Sequence, residues 1–235
     1  EKTEKGDTEG ARRLLSSVLS VFIGAYAVVA LGVAIFADPL SAFLFPGFTG
    51  TDHETLTTLL RILLLQPLFL GISSLYGVIT QLGQRFALYA TSPLLYNGGI
   101  IFGLVIFYPA FGMQGVVWGV VLGAVLHLVI QIPFIFRSPL APRITYSVDT
   151  RTLGTVLAHS IPRALTLSLG QIVSLSFVGI ASTMAIGSVS VLQFAFNLQS
   201  VTLTIIGVSY SVAAFPILAQ LYSKGDLSAF VERVE

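Results

Sequence analysis

Nine residues bring polar chemistry into otherwise apolar stretches of this chain: Arg61, Gln66, Asn97, Gln131, Arg163, Gln171, Gln193, Asn197 and Gln199. A guanidinium grips phosphate oxygens through paired N–H bonds, and side-chain amides both donate and accept. The set therefore suits reception of a polar, anionic head group better than bond breaking. Arg61, Asn97, Arg163, Gln171, Gln193 and Asn197 are the candidates to line a substrate cavity. Gln193, Asn197, Ser200 and Thr204 fall at i, i+4, i+7 and i+11, which stripes one helical face; Ser168, Gln171 and Ser174 share another. Two adjacent helices striped in this way would line a hydrophilic cavity. The same residues would equally serve as hydrogen bonds that hold a bundle together. For Arg61 and Arg163 the alternative is snorkelling to lipid headgroups.

Catalysis finds no such support. His53, His127 and His159 do not stand at metal-ligand spacing, and no G-x-S-x-G elbow or P-loop occurs. His127, in the middle of an apolar run, reads as a hydrogen-bonded packing residue rather than a ligand. Acidic residues are nearly missing from the apolar runs, so paired carboxylates for acid–base work are not available. With no cysteine there is no disulfide, thiolate nucleophile or cysteine-bound zinc. No cofactor and no metal is expected, and the chain does not read as an enzyme. The net charge of +1, without a dense Lys/Arg cluster, argues against nucleic acid as a partner.

The elements that must position these residues are membrane spans. Of 235 residues, 54% are hydrophobic and 10% charged, against about a quarter charged in a soluble domain; the mean hydropathy is +0.89. From Ala164 to Ser223 no Asp, Glu, Lys or Arg occurs in 60 residues, and from Phe86 to Phe136 none in 51. About 18 apolar residues suffice to cross a bilayer, so each block holds two crossings. Six spans are predicted: 14–36, 57–82, 86–107, 114–136, 156–184 and 190–222. Between the first two, Ala37 to Phe48 is too short to span and reads as an interfacial or re-entrant piece. Ser138 to Thr150, with Pro139 and Pro142, reads as a polar loop. Gly115-x-x-x-Gly119-x-x-x-Gly123 is a small-residue ridge that would let two backbones approach.

Charge orders these spans. If the N-terminal side is taken as inside, Lys2, Lys5, Arg12, Arg13, Arg85, Arg137, Arg143, Arg151, Lys224 and Arg233 all fall inside, ten of the twelve basic residues. Arg61 and Arg163 lie within spans, and the outside loops carry Asp38, Asp52 and Glu54. The positive-inside rule then places both termini in the cytoplasm. Lys5-Gly6-Asp7 before the first span and Lys224-Gly225-Asp226 after the sixth form a faint repeat, as expected of a duplicated helical set. The acidic lead without a starting Met is unlike a signal peptide, and suggests a fragment of something longer.

Ordered motifs sharpen this reading. Ile161-Pro162-x8-Gln171-Ile172, Ala181-Ser182, Gly187-Ser188-Val189-Ser190, Gly207-Val208 and Phe215-Pro216-x-Leu218 closely resemble helices seven and eight of the MurJ/MviN family of lipid II flippases. Upstream, Pro46-Gly47-Phe48, Leu60-Arg61-Ile62, Arg85-Phe86, Pro93-x3-Asn97 and Gly123-x3-His127-Leu128-x2-Gln131-x-Pro133 look like its third to sixth helices. The resemblance implies an all-α transmembrane bundle that is part of a two-lobed transporter. Residues 1–150 would be the remainder of the first lobe, with four spans, and 151–235 the first two spans of the second. It also implies a bacterial cytoplasmic (inner) membrane protein. Its work would be to move undecaprenyl-diphosphate-linked peptidoglycan precursor between leaflets by alternating access. Its partners would be a lipid-linked saccharide, membrane lipids and the remainder of the same transporter. The chain departs from the family at one place. The family's eighth helix typically carries an Asp-Arg pair after Tyr-Ala; here Phe196 and Asn197 follow Phe194-Ala195. That departure keeps open an exporter of another lipid-linked oligosaccharide or a drug. A non-transporting membrane scaffold is the alternative of a different class.

Overall fold

Proline and glycine divide the apolar runs, and the backbone follows those divisions. The structure, a computed structural model, describes residues 7–145 and 150–208. Asp7 starts the first helix: its Oδ1 accepts from Gly10 N at 2.8 Å, satisfying one of the free donors of the first turn. Helix α1 therefore runs from Thr8 to Ile35, beginning before the apolar run proper. Helix α2 (Ala37–Leu44) occupies the segment expected to be interfacial.

The second crossing is bent. Helix α3 (Thr51–Leu63) and helix α4 (Leu65–Leu82) meet at Leu64, ahead of Pro67. Proline has no N–H, and its ring crowds the carbonyl four residues back. Pro67 thus leaves the Leu63 carbonyl without its helical donor, and the carbonyl of the next residue, Leu64, accepts from the hydroxyl of Tyr26 on α1. The third crossing was expected to end at Phe107, before Tyr108-Pro109. Instead helix α5 (Phe86–Phe102) passes through a π-helical turn, Gly103–Phe107, into α6 (Tyr108–Phe111). A widened turn lets the axis continue where Pro109 cannot donate. The fourth crossing breaks too, into α7 (Met113–Val129) and α8 (Ile132–Ile135), with Pro133 just past the break. Helix α9 (Thr150–Ser182) follows the loop and carries Pro162 inside. Gly187, at φ 95°, turns the chain into α10 (Ser188–Thr202), which is followed by the π-helical Leu203–Val208. A left-handed φ of that size suits glycine alone among common residues. The expected end of the sixth span, Pro216, Lys2, Lys5, Lys224, Arg233, the second Lys-Gly-Asp and Phe215-Pro216-x-Leu218 lie outside the described residues.

Six of these helical stretches are long and apolar enough to cross a membrane, from Thr8–Ile35 to Ser188–Ile205. Their burial pattern agrees with lipid as the solvent. The buried positions are mostly small or polar: Ser17, Ser41, Ser73, Thr80, Ser92 and Gln131 are at most 1% exposed. Large apolar side chains such as Val28, Leu165 and Phe194 stand 74%, 63% and 73% exposed. In water this inversion would be an aggregation surface; in a bilayer it is the ordinary arrangement.

Two compact units divide the chain, up to Ser176 and from Phe177. In the first, α7 packs on α3, α4 and, most extensively, α5. The ridge Gly115, Gly119 and Gly123 meets Gly99, Gly103 and the backbone of Tyr96 and Phe107, so closely that a Cβ at any of the five glycines would strike backbone atoms. At the opposite end of the bundle Ala11, Ile79, Ile135 and Leu140 form a small apolar core. There the loop lies along α1: Arg143 N donates to Ser16 Oγ at 3.0 Å and Thr145 N to Ser20 Oγ at 2.8 Å. In the second unit, Phe177 and Phe196 meet edge to face at 6.3 Å.

Candidate functional site

The break before Pro133 generates the most developed polar arrangement in the first unit. The helix tightens there into a 3₁₀-type turn: Gln131 N bonds Leu128 O at 3.1 Å, one residue short of the α-helical partner. The carbonyl of His127 is thereby released from the backbone ladder. It accepts from Ser73 Oγ at 3.0 Å and from Gln131 Nε2 at 3.1 Å. Gln131 Nε2 also donates to Ser73 Oγ at 2.7 Å, and Ser73 Oγ pairs with His127 Nδ1 at 2.6 Å. Ser73 and Gln131 are fully buried. Beside them, the Tyr96 ring stands edge-on to His127 at 6.5 Å, and Gln66 Nε2 donates to Tyr96 Oη at 2.8 Å. This node ties α4, α5 and α7 together at membrane depth, where an unpaired polar group is costly. His127 is thus a packing histidine, as the sequence suggested. Ser73 and Tyr96 were missed. The stripe Gln66, Ser73, Gly77 and Thr80 along one face of α4 was the available signal.

Of the six expected cavity residues, Arg61 and Asn97 lie in the four-crossing part. Arg61 Nε donates to Ala34 O at 3.1 Å, in the last turn of α1, where carbonyls lack helical partners and the dipole favours a cation. Asn97 Nδ2 donates to Pro93 O at 3.1 Å, on its own helix, and is exposed. Arg163 and Gln171 stand exposed along α9. Gln193 and Asn197 stand exposed one turn apart on α10, and Ser200 Oγ bonds back to Asn197 O at 2.8 Å. The structure does not gather these six into one cluster within either unit. Among the described residues, no three His, Cys, Asp or Glu come together at metal-binding distance.

An inverted, glycine-zipped bundle with exposed amides on its last helices describes many transporters. The decisive observation is a match of residues 1–235 to the family described as "Lipid II flippase MurJ". The chain belongs to the MurJ family. Among its relatives, a probable lipid II flippase MurJ of Buchnera aphidicola subsp. Acyrthosiphon pisum is 27% identical over 228 residues, covering 95% of this chain and 44% of that protein. The probable MurJ of Borreliella burgdorferi is 24% identical over 90% of this chain and 42% of its own length. The lipid II flippase MurJ of Burkholderia cenocepacia is 24% identical over 75% of this chain and 36% of its own. The chain thus spans less than half the length of these MurJ relatives.

Proposed function

We propose that this chain works in carrying lipid II, a polyprenyl-diphosphate-linked saccharide, across the bacterial cytoplasmic membrane by alternating access. The family match over the whole chain carries the reading. The bundle supports it, since zipped helices move as rigid bodies, as rocking of two lobes requires. In this reading residues 1–150 belong to the first lobe and 151–235 open the second, with both ends cytoplasmic. The remainder of a two-lobed transporter completes the cavity. Gln171, Gln193 and Asn197 receive the head group through their amides, Arg163 faces the diphosphate, and Asn97 lies at the cavity edge. Arg61 serves first as the cap of α1 and reaches the substrate only if that cap opens.

One observation favours a second reading. Asn197 replaces the arginine typical of the resemblance, which suits a less anionic head group on another lipid-linked saccharide. Thermal unfolding of the protein purified from its membrane separates the two. Lipid II is expected to raise the midpoint by several degrees, consistent with mass-action stabilisation of about 2.7 kcal/mol at a hundredfold excess over Kd. Stabilisation by another polyprenyl-linked sugar with none from lipid II would give the place to the second reading.

A further inference from the structure

We propose that α2 is a membrane anchor: a short helix seated at the headgroup–acyl boundary of the bilayer, with Phe36 and Phe43 as its lipid-inserted face. Three features of the helix carry this. First, its inner flank is fixed to protein. Ala37 and Ser41, one turn apart, are 0% exposed, and Ser41 Oγ meets Thr57 Oγ1 of α3 at 2.9 Å. Asp38 Oδ1 meets His53 Nε2 of α3 at 2.9 Å. With Arg61 on Ala34 O, successive turns of α3 (residues 53, 57 and 61) clasp the α1–α2 corner, so α2 cannot turn about its axis.

Second, the rotation fixed by that clasp separates polar from apolar on the outer flanks. Asp38, whose side chain is 68% exposed, and Phe43 lie about 140° apart around a helix of 3.6 residues per turn. Phe36 and Phe43, two turns apart and 64% and 81% exposed, share the other shoulder. One shoulder therefore offers a carboxylate to water and the other offers aromatic rings to an apolar phase, the pattern of a helix lying in the interface plane.

Third, the aromatic shoulder continues the lipid-facing surface of α1, where Val28, Leu31 and Ile35 are 74%, 63% and 62% exposed. Ile35 and Phe36, neighbours in the chain at the corner between span and α2, are 62% and 64% exposed, so exposed apolar residues run on from one helix to the next. That continuity commits the face to lipid rather than to a protein partner, and to shallow depth, because Asp38 must stay wet.

The test places a single tryptophan at Phe43 in a Trp118→Phe background, Trp118 being the chain's one tryptophan. Fluorescence is then read in phosphatidylcholine vesicles brominated either beside the headgroup or near the chain ends. The Phe43→Trp reporter is expected to lose about half its emission to the shallow bromines and distinctly less to the deep ones, as insertion by roughly 5–10 Å implies. Val28→Trp in the same background should show the reverse order and so calibrates depth. Phe36→Trp supplies a second reporter on the same shoulder. If neither shoulder reporter is quenched by either lipid while Val28→Trp is, the face lies in water or under protein and the anchor is refuted. Stronger quenching from the deep bromines would refute it as well, making the segment re-entrant.

Discussion

At the scale of single residues, the polar side chains of the described crossings serve mainly to satisfy backbone carbonyls, several of them near prolines. Ser73 and Gln131 occupy the His127 carbonyl ahead of Pro133, Tyr26 bonds the Leu64 carbonyl across to α4, and Asn97 Nδ2 bonds back to the Pro93 carbonyl. Replacing Gln131 by Met keeps the side chain's length and deletes its bonds to Ser73 and His127. The expected cost is about 1–2 kcal/mol, since interhelical bonds in membranes average roughly 0.6 kcal/mol and reach about 1.7; titration with denaturing detergent measures it. An unchanged transition would mean that water or a neighbouring group already satisfies the node. At the candidate cavity, Asn197→Arg supplies the charge that the resemblance implies at this position. The lipid II reading expects about tenfold tighter binding of lipid II, the worth of one charge-assisted hydrogen bond. His127 was legible in the sequence because an isolated histidine in an apolar run has few options besides packing. Ser73 was not, because a mid-helix serine usually bonds back to its own helix, as Ser74 does to Leu70 O at 2.8 Å. Only the neighbouring helix shows which serine reaches across.

At the scale of elements, glycine sets how near two helices stand. Gly119 lies against Gly103 and the carbonyl of Gly99 with no room for a methyl group, whereas Gly32 on α1 has nothing near its missing Cβ. Gly119→Val should therefore cost about 3 kcal/mol or more by forcing α5 and α7 apart. Gly32→Ala should be neutral or stabilising by up to about 1 kcal/mol through helix propensity. Thermal unfolding of the two variants side by side measures the difference, and equal losses would contradict the zipper. The ridge on α7 could be read from its spacing. Its partners Gly99 and Gly103 could not be paired with it from sequence, because register between helices depends on bends such as the π-helical turn at Gly103–Phe107. The break at Leu64 escaped for a related reason: tertiary contacts decide whether a membrane proline kinks its helix or is absorbed.

At the scale of the molecule, hydropathy and charge did most of the work. The uncharged blocks 86–136 and 164–223 marked crossings, and in their described parts lie apolar helices long enough to span: Phe86–Phe111, Met113–Ile135, Leu153–Ser182 and Ser188–Ile205. The sequence showed polar stripes on α9 and α10 that would suit a cavity; in the structure those faces look outward within their own units, so a cavity there depends on what packs beyond them. Six crossings with the basic residues held on one side of the bilayer underlie the transport reading. The chain has no cysteine of its own, so single cysteines can be placed at Asp52 and at Arg143 in intact cells and treated with a membrane-impermeant thiol reagent. The cysteine at Asp52 should label from outside, and the one at Arg143 only after the membrane is opened. Labelling of both from the same side would contradict the topology and the transport reading built on it.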